Sequence, residues 1–130
     1  MVTFVLYQQY NTSNMIEELL SIWEDTYKKG QLTFWMFIAL KHGEKYVDEI
    51  RSFIHEYSEQ TISYDEQSLY RSLRKFQHLD IVEFVLKPGA SGPERKYYRL
   101  TSSGEQLLEK FIERNILLLQ TSKISNLLKF

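Results

Sequence analysis

Two changes of period place this 130-residue chain in the α+β class, mostly α. Apolar residues recur at intervals of three and four from residue 15 to about residue 79. They alternate between 82 and 100 and return to the helical interval from 104 onward. The alternating stretch is interrupted by Pro88-Gly-Ala-Ser-Gly-Pro93, a turn by composition, so its two halves predict one hairpin set among helices.

Composition sets the outer limits. The chain is 43% apolar and 25% charged, and at this length it can bury well over half of its unfolded surface without disulfides or metal. It has no cysteine, which excludes a disulfide framework, a thiolate nucleophile, an iron–sulfur cluster and any Cys-containing zinc site. Basic and acidic residues nearly balance, 16 against 17, so attraction to nucleic acid or to an anionic surface has to be local. Residues 1–10 carry no positive n-region, and no apolar run approaches the roughly 18 residues of a membrane span. The expectation is a soluble, cytoplasmic protein without a membrane partner. Asn11-Thr12-Ser13 matches a glycosylation sequon, but with no signal peptide it reads as a helix lead-in.

Residues 2–7 read as a short strand or an ordered arm. Met15, Ile16, Leu19, Leu20, Trp23 and Tyr27 then mark a first helix, ended by Lys28-Lys29-Gly30 as the helix dipole favours. Residues 31–42 are apolar almost all round and stop at Gly43, the pattern of a helix buried on more than one side. In a domain this small, the second side is most simply buried against another chain. Tyr46, Val47, Ile50, Phe53, Ile54 and Tyr57 form the stripe of a third helix, with Asp48, Glu49, Arg51, His55 and Glu56 outside it.

Ser63-Tyr-Asp-Glu66 has the spacing of a capping box, with Ser63 at the N-cap and Glu66 at N3 of a fourth helix. Leu69, Leu73 and Phe76 fall on one of its faces. Gln67, Arg71, Arg74 and His78 fall on the opposite one, with Lys75 at the margin, and that face carries no carboxylate. After Asp80, Val82, Phe84 and Leu86 alternate with Glu83, Val85 and Lys87, and a second strand returns over residues 94–100. Lys87, Arg95 and Lys96 flank a short, mobile tip. Thr101 or Ser102 caps a last helix that begins near Gly104 and runs to the C-terminus. Its apolar stripe, which includes Leu107, Leu108, Phe111, Ile112, Ile116, Leu118 and Leu119, is longer than one small core needs, and the surplus implies a partner helix.

Net charge divides unevenly: −2 over residues 1–30, −2 over 31–60, +2 over 61–100 and +1 over 101–130. Three helices, the last with a basic outer face, followed by a hairpin with a basic tip, make the plan of a winged helix-turn-helix. A helix fits the major groove, where Arg and Gln can reach base edges while wing Lys and Arg meet phosphates. The bland alternative is that Arg71, Arg74 and Lys75 form an ordinary solvated face.

Ser68-Leu-Tyr-Arg-Ser-Leu-Arg-Lys-Phe76, Leu79-Asp-Ile-Val82 and Gly92-Pro-Glu-Arg-Lys-Tyr-Tyr-Arg-Leu-Thr-Ser-Ser-Gly104 resemble the PadR-like winged-helix transcriptional regulators over about residues 30–110. The resemblance implies a homodimer closed by the C-terminal helix, usually repressing transcription. By motif position it places Tyr70, Arg71, Arg74 and Lys75 on the recognition helix, and Arg95 and Lys96 in the wing. Three positions depart from the family pattern: Asp80 and Lys45 stand where glycine is usual, and Arg71 replaces a common proline. Some members carry an N-terminal extension, among them a cyanobacterial clock-period regulator; others are stress- or drug-responsive repressors.

The expected division is a single winged-helix domain over 1–130: an N-terminal arm and helix over 1–30, the core over 31–100, and a dimerisation helix over 101–130. The DNA-facing set is Gln67, Tyr70, Arg71, Arg74, Lys75 and His78 on the recognition helix 64–79, with Lys87, Arg95 and Lys96 on the wing 87–96. The dimerisation set is Trp35, Leu108, Phe111, Ile112, Leu118 and Leu119. Phe34, Trp35 and Phe37 either pack an interface or line an apolar pocket for a hydrophobic effector. Of Tyr97 and Tyr98, one points to the core and one outward. His42, His55 and His78 lack metal-ligand spacing, no phosphate-cradling glycine loop occurs, and no acid–base pair stands out. No cofactor and no enzymatic activity are expected. The competing reading is a winged helix that binds another protein and never touches DNA.

Overall fold

The computed structural model describes residues 2–89 and 91–130, with side chains from Ser13 onward. It forms two compact units, residues 1–32 and 33–130, which are described separately.

The first unit is a single helix, α1 (Val2–Gly30). The strand or arm expected over residues 2–7 is therefore corrected to helix, whose ladder satisfies the backbone within the segment. Ion pairs at i,i+4 join Glu24 to Lys28 (3.5 Å) and Asp25 to Lys29 (2.9 Å) in the last turns. The apolar stripe read from the sequence is exposed, with Ile16, Leu19 and Tyr27 more than half open and Trp23 72% exposed.

In the second unit α2 (Leu32–Lys41), α3 (Val47–Tyr57) and α4 (Glu66–His78) precede the hairpin β1 (Val82–Gly89) and β2 (Gly92–Leu100), and α5 (Ser102–Phe111) follows it. The core draws on every element: Met36, Phe37, Ala39 and Leu40 of α2, Val47, Ile50 and Ile54 of α3, and Leu69 and Leu73 of α4. Ile62, Val82, Tyr98, Leu100 and Leu108 complete it. Tyr46, expected inside the third helix, is its extended N-cap residue, and its N–H donates to the Glu49 carboxylate at 3.2 Å. Ser63 does not cap α4. Asp65 does, its carboxylate accepting from the Ser68 N–H at 2.7 Å, so the fourth helix starts at Glu66. That bond to the ionised form holds the Asp65 carboxyl below the usual carboxylate range.

The strands pair antiparallel, Val82 opposite Leu100 and Lys87 opposite Arg95, and the ladder continues to Gly89 opposite Gly92. The turn is thus shorter than the Pro/Gly-rich segment suggested, with Pro88 inside a strand. Lys45 adds a rung: its N–H donates to the Tyr98 carbonyl at 3.0 Å and its own carbonyl accepts the Tyr98 N–H at 2.8 Å.

Helix α4 ends in a left-handed turn. Asp80 has φ 56°, its N–H donates to the Gln77 carbonyl (3.1 Å), and the Ile81 N–H donates to the Phe76 carbonyl (2.9 Å). This pair of bonds is the Schellman arrangement, which favours glycine at the position Asp80 holds. Of the two candidate caps it is Thr101 that caps α5, accepting from the Gly104 N–H at 3.1 Å.

The last helix is not continuous to the C-terminus. After Phe111 the chain widens into a π turn (Ile112–Ile116), tightens to 3₁₀ (Leu117–Gln120), and breaks at Thr121 before a short helix α6 (Ser122–Ser125) and a final 3₁₀ turn. The Asn115 side chain donates to the Phe111 carbonyl at 3.1 Å, a back-bond onto the preceding turn at the point where the helix widens. Thr121 is extended and caps α6 with its own hydroxyl. Leu108, expected to face a partner, is 1% exposed and belongs to the core of this unit.

Gly104 lies against the Ile81 carbonyl oxygen; a Cβ there would overlap that oxygen and come within 3.2 Å of Leu100 Cδ2. Gly104→Ala is expected to destabilise the protein by about 3 kcal/mol, because backbone atoms on both sides have to move. Asp80→Gly is expected to stabilise it by about 0.5–1 kcal/mol, relief of the left-handed strain exceeding the extra unfolded-chain entropy. Urea unfolding with an unchanged m-value checks both. An unshifted midpoint for Gly104→Ala would refute the close-approach account.

Candidate nucleic-acid interface

Helix α4 is amphipathic because one set of its residues, Leu69 and Leu73, is fully buried, which leaves the opposite set in water. Gln67, Arg71, Arg74, Lys75 and His78 are all exposed, and at about 100° per residue they share the outer face. Tyr70 sits at the inner margin, half-buried, and burial pushes its phenol up, aided by Glu66 and Asp48. Burial likewise raises the Tyr98 phenol; Tyr70 adds to the effect and the Arg74 cation opposes it, so both helix residues lie within electrostatic reach of the wing strand. Tyr98 is the core-facing member of the tyrosine pair and Tyr97 the outward one.

The face is less purely cationic at its start than the sequence suggested. Asp65 caps the helix there, and the charges of Arg71 and Arg51 both help to keep its carboxyl ionised. Among the described residues, Arg71, Arg74, Lys75, Arg95 and Lys96 make no ion pair.

The pleat divides the three wing cations. Lys87 and Arg95, a cross-strand pair, share one face with Tyr97, while Lys96 lies on the other, its ammonium 4.7 Å from the centre of the Phe84 ring. Lys87 is ion-paired with Glu44 and lies over the Tyr97 ring at 5.5 Å. The Arg95 guanidinium lies 4.4 Å from the centre of the Tyr46 ring, which meets Tyr97 edge-on at 5.5 Å. Glu44 and Tyr46 had no place among the sequence-derived site residues. Tyr46 fitted the apolar stripe of α3, and nothing local ties Glu44 to a lysine 43 positions away.

The dimerisation set is scattered over different environments. Phe111, Leu118 and Leu119 are 43%, 50% and 49% exposed, Ile112 is half-buried, and Trp35 is half-buried with its indole nitrogen out of water and unpartnered among the described residues. Trp35 and Phe34 line an open groove of about 920 Å³ between α2 and α3, together with Phe53 and Tyr57. Phe37 is not part of it: it is a core residue, edge-on to Phe76 at 4.9 Å. His42 belongs to the same groove, stacked on Phe53. Among the described residues no cluster of three or more His, Asp or Glu could hold a metal ion, and no helix is long and apolar enough to cross a membrane.

Known structures share this fold. A PadR-like transcriptional regulator from Bacillus cereus is 27% identical, with a TM-score of 0.65, over 78% of this chain and 95% of its own. Bacillus subtilis PadR, solved in complex with operator DNA, is 27% identical with a TM-score of 0.57, over 62% of this chain and 45% of its own. A PadR-family regulator from Eggerthella lenta, at 19% identity and a TM-score of 0.69, shares the fold over 88% of this chain and 96% of its own. Comparison with curated protein sequences finds no match. The PadR-like family pattern matches residues 36–110, from the core of α2 through the recognition helix and wing to α5. A match over more than half of the chain, spanning every element that frames the basic face, makes this protein a member of the transcriptional regulator PadR-like family.

Proposed function

We propose that this protein is a homodimeric, sequence-specific DNA-binding repressor. The observation that carries the reading is the outer face of α4, where Gln67, Arg71, Arg74, Lys75 and His78 stand exposed and the cations are unneutralised among the described residues. On an inserted helix Gln67, Arg71 and Arg74 read bases, and Lys75, Arg95 and Lys96 meet phosphates. Operator-bound PadR from Bacillus subtilis supports the same use of the fold. Occupying a promoter with two recognition helices blocks its use, which is the simplest route to repression. In a two-fold dimer the half-sites lie about 34 Å apart.

The exposed apolar residues Phe111, Leu118 and Leu119 support a second copy as the partner of the C-terminal segment. The groove between α2 and α3, with its aromatic floor, is the proposed seat of a hydrophobic effector. A second reading, a module that binds another protein, is favoured by the open stripe of Ile16, Leu19, Trp23 and Tyr27 on α1.

Fluorescence anisotropy on the protein's own upstream region and on random duplex, across a salt series, separates these readings. A repressor binds the upstream region far more tightly and with a steep negative salt slope. Absence of binding to both at low salt would leave the protein-partner reading. Arg95→Ala is expected to weaken binding to every sequence alike and to make the slope shallower by about 0.9. Arg74→Ala is expected to lower operator affinity by about 1–3 kcal/mol and to relax preference at one base position. Equal losses on operator and random DNA for both variants would refute this division of labour.

A further inference from the structure

The wing's two outer-face cations do not project freely. Lys87 and Arg95 are opposite each other in the ladder, and both reach the loop that joins α2 to α3. Backbone bonds between Lys45 and Tyr98 fix that loop to β2, so Glu44 and Tyr46 keep a set position relative to the wing. The two loop residues treat their cations differently. Glu44 presents a carboxylate to Lys87, the same hydrogen-bonding and charge partner that a DNA phosphate would offer. Tyr46 presents a ring face, which attracts the Arg95 guanidinium without neutralising it. The edge-on contact with Tyr97 fixes the tilt of the Tyr46 ring. Gly89 keeps the channel for Arg95 open, since a Cβ there would lie 3.1 Å from its Nε and 3.2 Å from the Pro93 carbonyl.

We propose that this loop decides how much charge the wing delivers to DNA: the Tyr46 ring positions Arg95 for a phosphate, and the Glu44 carboxylate withholds Lys87. The inference rests on the DNA-binding reading above and deepens it. Arg95 keeps its full charge and loses conformational freedom before binding, so it meets a phosphate with little further ordering. Lys87 meets a phosphate only by giving up an existing partner, so its net contribution to counterion release is small.

The salt dependence of binding to random duplex counts the cations engaged, at about 0.9 per phosphate. Glu44→Gln is expected to steepen the slope by about 0.9, and adding Lys87→Ala to Glu44→Gln is expected to abolish that gain. Tyr46→Leu is expected to make the slope shallower by about 0.9, whereas Tyr46→Phe, which keeps the ring, retains the original value. Thermal unfolding shows which variants remain folded, and loss of structure alone would lower the bound fraction without this pattern of slopes. An unchanged slope in Glu44→Gln, a gain that survives Lys87→Ala, or a Tyr46→Leu slope equal to that of the unsubstituted protein overturns the inference while leaving DNA binding intact. Failure of the unsubstituted protein to bind either duplex overturns the DNA-binding reading and this inference with it.

Discussion

The contact on which the rest of the second unit depends is the approach of Gly104 to the Ile81 carbonyl. That oxygen accepts the Thr101 N–H at 3.0 Å, and the Thr101 hydroxyl donates to the neighbouring Asp80 carbonyl at 2.7 Å. Four elements meet there: the end of α4, the start of β1, the end of β2 and the first turn of α5. A side chain at position 104 would hold α5 away from the turn and open the layer that buries Leu100 and Leu108. The direction in which the wing leaves the recognition helix is set at this point. Thr101 and Gly104 are for that reason more than a cap: the threonine supplies the bonds and the glycine supplies the space for them.

Two non-glycine residues stand where the family favours glycine, and the structure compensates each differently. Asp80 adopts a left-handed conformation at the end of α4, completing the Schellman turn with some strain. Lys45 instead puts its side chain to use. Its ammonium donates to the Ala39 carbonyl at 2.7 Å and to the Gly43 carbonyl at 3.2 Å, closing the end of α2 where helix carbonyls lack partners. It lies 5.0 Å from the centre of the Phe53 ring, and desolvation lowers its pKa while Glu49 partly restores it. Gly43, with φ 123°, makes the turn that allows this return. The same loop carries Glu44 and Tyr46, so one local substitution anchors the segment that faces the wing.

Periodicity and glycine–proline punctuation made the hairpin, the three helices before it and the outer face of α4 legible, because each buries one side against a common core. Thr101 as a cap was legible for the same local reason. Three features were not. Asp65 displaced Ser63 as N-cap because the helix starts two residues later than the Ser63 spacing implies, and Ser63 and Asp65 are both capping-competent. The break in the last helix follows from Asn115 and Thr121 bonding to nearby backbone, while the apolar stripe continues through them unchanged. The pairing of Lys87 with Glu44 is a tertiary fact with no sequence period. The partner of one of the three wing cations was therefore invisible, although Lys87, Arg95 and Lys96 were all identified.

A chain of net charge −1 can still present a basic face, because that charge is a sum over the whole chain, −4 over residues 1–60 and +2 over 61–100. Lys29, Arg51, Lys87 and Arg99 are drawn into ion pairs, and Lys45 is committed to the end of α2. Such exposed pairs are worth about 0–1 kcal/mol each, too little to explain the fold. Their effect is on the local field: the pairs of Lys28, Lys29 and Arg51 cancel charge outside the wing, and those of Lys87 and Arg99 cancel it on the wing strands themselves. Arg71, Arg74, Lys75, Arg95 and Lys96, unpaired among the described residues, cluster on α4 and the wing, while Lys41, Lys110, Arg114, Lys123 and Lys129 are unpaired elsewhere. Charge that the composition balances is thus separated by position. The face attracts a polyanion only at short range, within about 8 Å at physiological ionic strength, and a protein with this arrangement finds DNA by local fit more than by long-range steering.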